Sequence, residues 1–520
     1  MSGRARALLA AAVVAGSAAV AYGAILANEF AWDDGYLVLE NPAIRDLSGV
    51  PRLFTEPWAG EVAYALGQEQ NRPYWRPAAL ASMSLDWAVA GPDPVVFHLT
   101  NLAIHALAAV LLFLWMRGLV SVVRRPSSAD LWAAGIAMVW AVHPVHSEAV
   151  AIVSYRTTLL SGAAVFGAMA AMTGRATVAR VVAGTAAFAI GLLSKETTIV
   201  MPALLLVQDL FLPAADDGRP ATRPGNRALA VYLPLAAVTA AWLWARSGVV
   251  GGGVFSYFDG LSAGQAALMV PRVFFLYVRL CVLPWPLCPF YDWSILGVPR
   301  SLAEPDVVAG ILLLTGLLAA AICLRRRAPM AAFGAAAFLV ALLPVSHLAP
   351  FFDAAGDRFL YVPLAGFLLA VAGLAALAPA SRALSRAGAV AVVAVVLACA
   401  GLSVARSTEW RDSETILRAT VRDFPQSVSA NLGLGRLLLD KDRAVEAEVP
   451  LHEVTSLAPS LGVGHGLLAV AQARAGDLTA ARQTLMLAPL PEQGLPSAAE
   501  VARGEFLKRH EFPILYRMGL

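Results

Sequence analysis

Eleven separate stretches of this chain are apolar enough to be read as bilayer-crossing helices, and no other feature constrains its fold as strongly. They lie at 7–27, 95–116, 131–149, 157–173, 177–193, 197–212, 228–246, 304–324, 329–346, 359–379 and 387–405. A helix crosses the hydrocarbon core with about 20 apolar residues. The expected fold is therefore all-α, a polytopic transmembrane helical bundle of about 11 spans. Charge content agrees: 14% of the 520 residues are Asp, Glu, Lys or Arg, against roughly 25% in soluble domains. That leaves too little polar surface to cover a globule of this size in water. A further apolar stretch, 266–290, is interrupted by Pro271, Arg272, Arg279, Pro284 and Pro286. It reads as an interfacial or re-entrant element, or as a hairpin, within a large loop at 247–303.

Basic residues concentrate in cytoplasmic loops of membrane proteins. Arg4 and Arg6 precede the first span, and every second loop after it is basic: Arg117/Arg124/Arg125, Arg175/Arg180, Arg219/Arg223/Arg227, Arg325–Arg327 and Arg382/Arg386. The N-terminus is therefore expected in the cytoplasm. The first loop (28–94) and everything after the last span then lie outside it. The composition of the chain points to a bacterial inner membrane. A cleaved signal peptide at the first span would leave the later orientation unchanged. The net charge of +3 is small, and no basic cluster alternates with aromatics, which argues against a nucleic-acid partner. Cys281, Cys288, Cys323 and Cys399 show no CxxC spacing, so neither a zinc site nor a disulfide framework is expected.

After Arg406 the composition turns soluble. Pro425 and Pro459 stand 34 residues apart, the period of tetratricopeptide (TPR) repeats. In that frame one unit carries Leu434, Gly435, Ala447, Leu451 and Pro459, and the next Leu468, Ala469, Ala481 and Leu485. The expected organisation is a membrane domain over 1–406, a connecting helix over 407–426, two TPR-like repeats forming an α-solenoid over 427–494, and a tail over 495–520. A plain pair of helical hairpins with no binding role fits the same residues.

Ionisable residues at the edges of apolar spans are costly and mark functional sites. Under the topology above most of them fall on the outer side. Asp33 and Asp34 follow the first span. Adjacent carboxylates repel, which raises one pKa and suits a general base; a solvated loop or helix cap is the plainer reading. Trp75-Arg76-Pro77 lies late in the first loop, and a guanidinium there offers fork geometry to an oxyanion. His143, His146 and Glu148 end the third span; Pro144 between the histidines makes a metal-binding helix face the lesser reading there. Arg156 opens the fourth span. Lys195-Glu196 forms a tight turn, and Asp357-Arg358-Phe359-Leu360-Tyr361 opens the tenth span. Arg76, Arg156, Lys195 and Arg358 together can neutralise a phosphate beside Asp33 and Asp34.

The same segments, taken in order, carry a resemblance. They are Phe30-x-Trp32-Asp33-Asp34, Trp75-Arg76-Pro77, Phe97-His98-Leu99-x-Asn101-x-x-x-His105-Ala106, Ala141-Val142-His143-Pro144-Val145-His146-Ser147-Glu148-Ala149-Val150, Ser194-Lys195-Glu196, Asp357-Arg358-Phe359-Leu360-Tyr361-Val362-Pro363 and Trp410-Arg411-Asp412-Ser413-Glu414-Thr415. The pattern resembles the transmembrane-and-TPR O-mannosyltransferases and their bacterial relatives, within the GT-C glycosyltransferases. The resemblance implies transfer of a mannose-like sugar from a polyprenyl-phosphate donor to a hydroxyl, on a protein Ser or Thr or an envelope glycan, with inversion. It implies Asp33 or Asp34 as base and Arg76, Arg156, Lys195 and Arg358 around the donor phosphate. Trp75, His143, His146, Glu148, Glu196, Asp357 and Tyr361 would position donor or acceptor. It implies a lipid-linked sugar, membrane lipid and an acceptor, met through the repeats, as partners, and does not favour a divalent metal. Where relatives have Gly-Arg followed by an acid, this chain has Tyr155-Arg156-Thr157-Thr158. A scaffold that recruits envelope proteins through its repeats is the alternative; the intact Asp33-Asp34 pair counts against it. A transporter predicts paired inverted repeats with broken helices, which are not evident.

Overall fold

A computed structural model describes residues 2–58, 74–123, 126–174, 176–212, 224–250, 261–348, 353–378 and 381–488. Asn71, Arg72, Pro73, Arg124, Arg125, Arg175, Arg219, Arg223 and the expected tail lie outside them. The described residues are helical or irregular, with no strand among them. Every one of the eleven apolar segments contains a helix.

Six helices are long and apolar enough to cross a bilayer: Gly3–Ala27, Pro94–Ser121, Ala228–Val249, Ala263–Val282, Pro305–Cys323 and Arg382–Glu409. A multi-pass membrane protein follows. Other expected segments are shorter apolar helices, such as Val178–Leu192 and Pro363–Ala375. Helix length by itself thus carries six crossings among the described residues, or seven if the bent pair Pro144–Ala151 and Arg156–Met172 counts as one.

Two expected boundaries differ. The helix expected over 131–149 stops at Ala141. Proline disfavours the helical conformation in the residue before it, and His143, ahead of Pro144, is extended at ψ 128°. The stretch 266–290 is also not broken at Pro271: one helix runs through it from Ala263 to Val282. From Arg272 onward this helix touches one end of the bundle. Arg272 donates to the Leu296 and Gly297 carbonyls at 3.0 and 2.9 Å and pairs with Glu304 and Asp306. Its Cys281 backbone meets the His143 ring.

That end also holds Asp33 and Asp34. Asn28, at the close of the first helix, donates to the Ser407 carbonyl near the close of Arg382–Glu409. The two helices therefore end on the same side of the bundle, and Arg4, Arg6, Arg382 and Arg386 lie at their opposite, far ends. Arg180, also at the far end, donates to the carbonyls of Ala171 and Ala170, satisfying acceptors that the end of Arg156–Met172 leaves open.

Lipid provides no hydrophobic drive between helices, so spans associate where small residues permit close contact. Pro329–Leu342 and Pro363–Ala375 meet this way. A Cβ on Gly334 would lie 2.3 Å from the Ala370 nitrogen, and one on Gly366 2.5 Å from the Phe338 nitrogen. Backbone is the obstacle in both cases, so no rotamer relieves it. We expect Gly334→Ala to destabilise by about 1–3 kcal/mol, the usual cost of overpacking. Gly316→Ala, where nothing lies within 4 Å, is expected to leave stability unchanged. Thermal unfolding in detergent distinguishes the two.

The C-terminal helices Ser413–Asp423, Val428–Asp440, Ala444–Leu457, Gly462–Arg474 and Leu478–Leu487 each pack on the next. Helix starts recur 34 residues apart, Val428 to Gly462 and Ala444 to Leu478. Leu432, Leu438, Leu451, Val454 and Leu467 fill the space between them. The stack is bolted to the bundle at Asp292. That carboxylate accepts from the Ser427 hydroxyl at 3.0 Å and the Ser429 amide at 2.9 Å.

Candidate functional site

The acidic pair divides into two different groups. Asp34 is fully buried. Its two oxygens accept the Val153 amide at 2.9 Å and the Ser154 amide at 2.7 Å. Burial pushes its pKa up, to about 7, against the pull of those amides. Asp34 thus holds the 153–154 turn and has little capacity left for anything else. Asp33, one residue earlier, is partly exposed. It accepts the Tyr155 hydroxyl at 3.0 Å and a second hydrogen bond from Tyr36. Its surroundings raise its pKa, chiefly by desolvation, while Arg358 nearby works the other way. Trp32 before it has φ 58°, a left-handed conformation unusual for a bulky residue.

Three of the four expected cations converge. Arg358 spans two buried carboxylates, Glu148 at 2.5 Å and Asp353 at 2.5 Å, and its amide donates to the other Glu148 oxygen at 2.8 Å. Its guanidinium also lies 4.6 Å from the centre of the Tyr155 ring, the ring whose hydroxyl reaches Asp33. Arg76 pairs with Glu196 at 2.9 Å and lies over the Tyr74 ring at 4.3 Å. Lys195, buried, donates to the Thr158 hydroxyl at 2.7 Å. Burial, with Arg76 and Arg358 close by, lowers its pKa to about 7. Asp353 feels Arg358, Lys195 and Arg76 together, which ties the cluster into one electrostatic unit.

Lys195 and Arg358 stand at the polar edge of a groove. The rest of its lining is apolar at Val165, Val200, Ala341, Val345, Phe359, Val362 and Pro363, and carries hydroxyls at Thr158, Ser161, Thr197 and Tyr361. The groove therefore sets apolar side chains beside two cations.

The fourth cation lies elsewhere. Arg156 is fully buried. It donates to Asn101 Oδ1 at 2.8 Å and to the Phe97 carbonyl at 3.0 Å, and pairs with Asp86 at 2.5 Å. With its guanidinium closed in this way, Arg156 is not open to a phosphate; it fastens Pro94–Val123 to Pro77–Ala90.

The other expected residues separate similarly. Glu148 and Glu196 belong to the cation cluster. Asp357 is buried beside it and accepts the Tyr291 hydroxyl at 2.8 Å; burial, then the Glu148 charge, raise its pKa to about 8. Trp75 is packed into the main core. Tyr361 bonds His105 Nδ1 at 2.8 Å, and His105 Nε2 faces the Ala141 carbonyl at 3.0 Å. The carbonyl can only accept, so His105 is protonated on Nε2 and Tyr361 donates to Nδ1. His146 lies in the same aromatic nest, with ring centroids 4.6 Å from Trp140 and 4.7 Å from Tyr361. His143 and His146 do not form a ligand set with Glu148, whose carboxylate grips Arg358. Among the described residues no three His, Cys, Asp or Glu side chains cluster as metal ligands.

Sequence reasoning assigned no role to Asp353, Tyr155, Tyr36, Thr158 or Ser413. Asp353 had a usable signal, an isolated carboxylate in an apolar stretch five residues before Arg358. The tyrosines and the hydroxyls had none, because only the fold brings them to the charged groups.

Comparison with known proteins returns one consistent set of names. The chain is 24% identical over 519 residues to the human protein O-mannosyl-transferase TMTC1, covering 84% of this chain and 54% of that protein. It is 24% identical over 490 residues to human protein O-mannosyl-transferase TMTC4, covering 84% and 64%. The chain is similar to proteins named protein O-mannosyl-transferases. A shorter match, 32% identical over 132 residues, reaches the Drosophila melanogaster protein O-mannosyl-transferase Tmtc1 and covers 25% of this chain and 14% of that protein. The chain spans 54–64% of the length of the two human O-mannosyl-transferases. No family model matches it, and no solved structure matches.

Proposed function

We propose that this chain is a membrane glycosyltransferase of GT-C type. It moves a mannose-like sugar from a polyprenyl-phosphate donor to an acceptor hydroxyl, on a protein Ser or Thr or an envelope glycan. The observation that carries this reading is the groove that sets apolar side chains beside Lys195 and Arg358, with Asp33 reached from Arg358 across one tyrosine ring. An isoprenoid tail suits the apolar lining, and a phosphate suits the cations at its edge. The names of the relatives agree with a sugar donor and a protein acceptor.

The steps assign one role to each group. Asp33 takes the proton of the acceptor hydroxyl as that oxygen attacks the anomeric carbon. The bond from that carbon to the phosphate oxygen breaks on the opposite face, and the configuration inverts. The electron pair leaves on the polyprenyl phosphate, where Lys195 and Arg358 stabilise the added charge. Preorganised cations of this kind act where charge develops, so no acid is needed at the leaving group. Arg76 adds to the positive field and holds Glu196 in place. Asp34 acts by fixing the 153–154 turn, and Glu148 and Asp353 by aiming Arg358. In this reading the basic far end is cytoplasmic, and the site and the TPR-like stack lie outside the cytoplasm.

The pH profile tests this. Donor capture needs Lys195 charged, and its pKa is lowered to about 7. Transfer needs Asp33 ionised, and burial raises its pKa. We expect kcat/KM to be bell-shaped. The alkaline limb belongs to Lys195, and the acid limb to Asp33, whose pKa desolvation raises. Lys195→Arg, whose guanidinium stays charged, is expected to move the alkaline limb upward and leave the acid limb in place. An alkaline limb unmoved in Lys195→Arg counts against Lys195 as the phosphate ligand.

A further inference from the structure

The residues before Asp33 are held by the C-terminal elements rather than by the membrane bundle alone. The Glu29 amide donates to the Arg411 carbonyl at 2.8 Å. The Trp32 amide donates to the Ser413 hydroxyl at 2.9 Å. The Trp32 ring stands edge-on to Trp410, with centroids 6.4 Å apart, and also packs against the core of the helical stack. On the other side of Asp33, Asp34 is fixed by the 153–154 amides. Asp33 thus sits between two anchors, one in each part of the protein.

The anchor on the Trp32 side is conformationally unusual. At φ 58° a tryptophan stays left-handed only while its surroundings over-determine it. The contact at Arg411 uses a backbone carbonyl, which any residue supplies. The contact at Ser413 uses a side-chain hydroxyl, so it depends on the residue.

We propose that Ser413 is a positioning residue for Asp33: by holding the Trp32 amide, it lets the C-terminal helical stack set the aim of the carboxylate. This rests on the reading of Asp33 as the base. A displacement of the stack would reach the base through Ser413 and Trp32 without any contact to donor or acceptor.

The test uses the full chain in nanodiscs with polyprenyl-phosphate mannose and a Ser/Thr peptide, comparing wild type, Ser413→Ala and Ser413→Thr. Loss of one orienting hydrogen bond is expected to lower kcat about tenfold, with KM for the donor unchanged. Ser413→Thr, which keeps a hydroxyl, is expected to restore most of the rate. Amide hydrogen exchange over 29–36 is expected to quicken in Ser413→Ala and not in Ser413→Thr. Unchanged exchange in Ser413→Ala overturns the proposal whatever the activity. Faster exchange with an unchanged kcat also overturns it, because the base is then aimed without Ser413. If wild type itself shows no turnover, the transferase reading fails first and the positioning role falls with it. An active wild type with Ser413→Ala unaffected removes the positioning role alone.

Discussion

Asp33→Asn is expected to reduce turnover by about 10²–10⁴-fold, the range a general base contributes, while donor affinity and thermal stability stay close to wild type. The amide has nearly the shape of the carboxylate, can still accept from Tyr155, and cannot take a proton. Its neighbour behaves differently. Asp34→Asn sets an NH2 group against one of the Val153 and Ser154 amides that now donate to the carboxylate. A buried donor left facing a donor costs about 1–3 kcal/mol, so this variant is expected to melt earlier and to lose activity through the 153–154 turn. Turnover, donor binding and melting temperature on both variants separate a chemical role from a structural one. Loss of activity in Asp34→Asn with full stability, beside an active Asp33→Asn, reverses the assignment.

Arg358 carries the second large effect. Its side chain is 10% exposed, and its partners Glu148 and Asp353 are 1% and 9% exposed. Removing a cation from between two buried carboxylates leaves uncompensated charge, at a cost of about 3–5 kcal/mol. Arg358→Met is therefore expected to unfold at markedly lower temperature and to lose donor binding. Arg358→Lys retains a charge but not the fork that spans both carboxylates, and should fall between. Neutralising all three groups, as Arg358→Met with Glu148→Gln and Asp353→Asn, is expected to recover stability without recovering turnover. A triple variant that regains activity removes Arg358 from the phosphate site.

The contrast with Arg156 shows what the sequence could and could not express. Both arginines stand where an apolar span opens, both stand in quoted motifs, and a guanidinium looks the same in either place. Arg156 turns out to be closed by Asn101, Asp86 and the Phe97 carbonyl, partners 55 to 70 residues away in the chain. Arg358 stands at the edge of a groove with apolar side chains. Membrane segments were legible because hydropathy alone determines them, and all eleven contain helices. Their ends were less so: Pro144 stopped one helix early, and within 266–290 the helix passes through Pro271 and ends at Val282, ahead of Pro284. In the acidic pair, the sequence shows two equivalent aspartates. The difference between them comes from two backbone amides at Val153 and Ser154, and backbone amides leave no mark on a residue pattern. Asp353 and Tyr155 link the base to the cations, and the residue pattern assigned neither a role.

The account stands or falls on donor chemistry. The most direct measurement follows sugar-labelled polyprenyl-phosphate mannose with the purified protein in nanodiscs, recording polyprenyl phosphate released, sugar transferred and the anomeric configuration of the product. The account predicts release matched one for one by a glycoside of inverted configuration, abolished in Asp33→Asn while donor binding persists. A product of retained configuration would contradict the single displacement. An absence of both turnover and donor binding across polyprenyl-phosphate sugars would contradict the transferase reading and favour a scaffold built on the C-terminal helices.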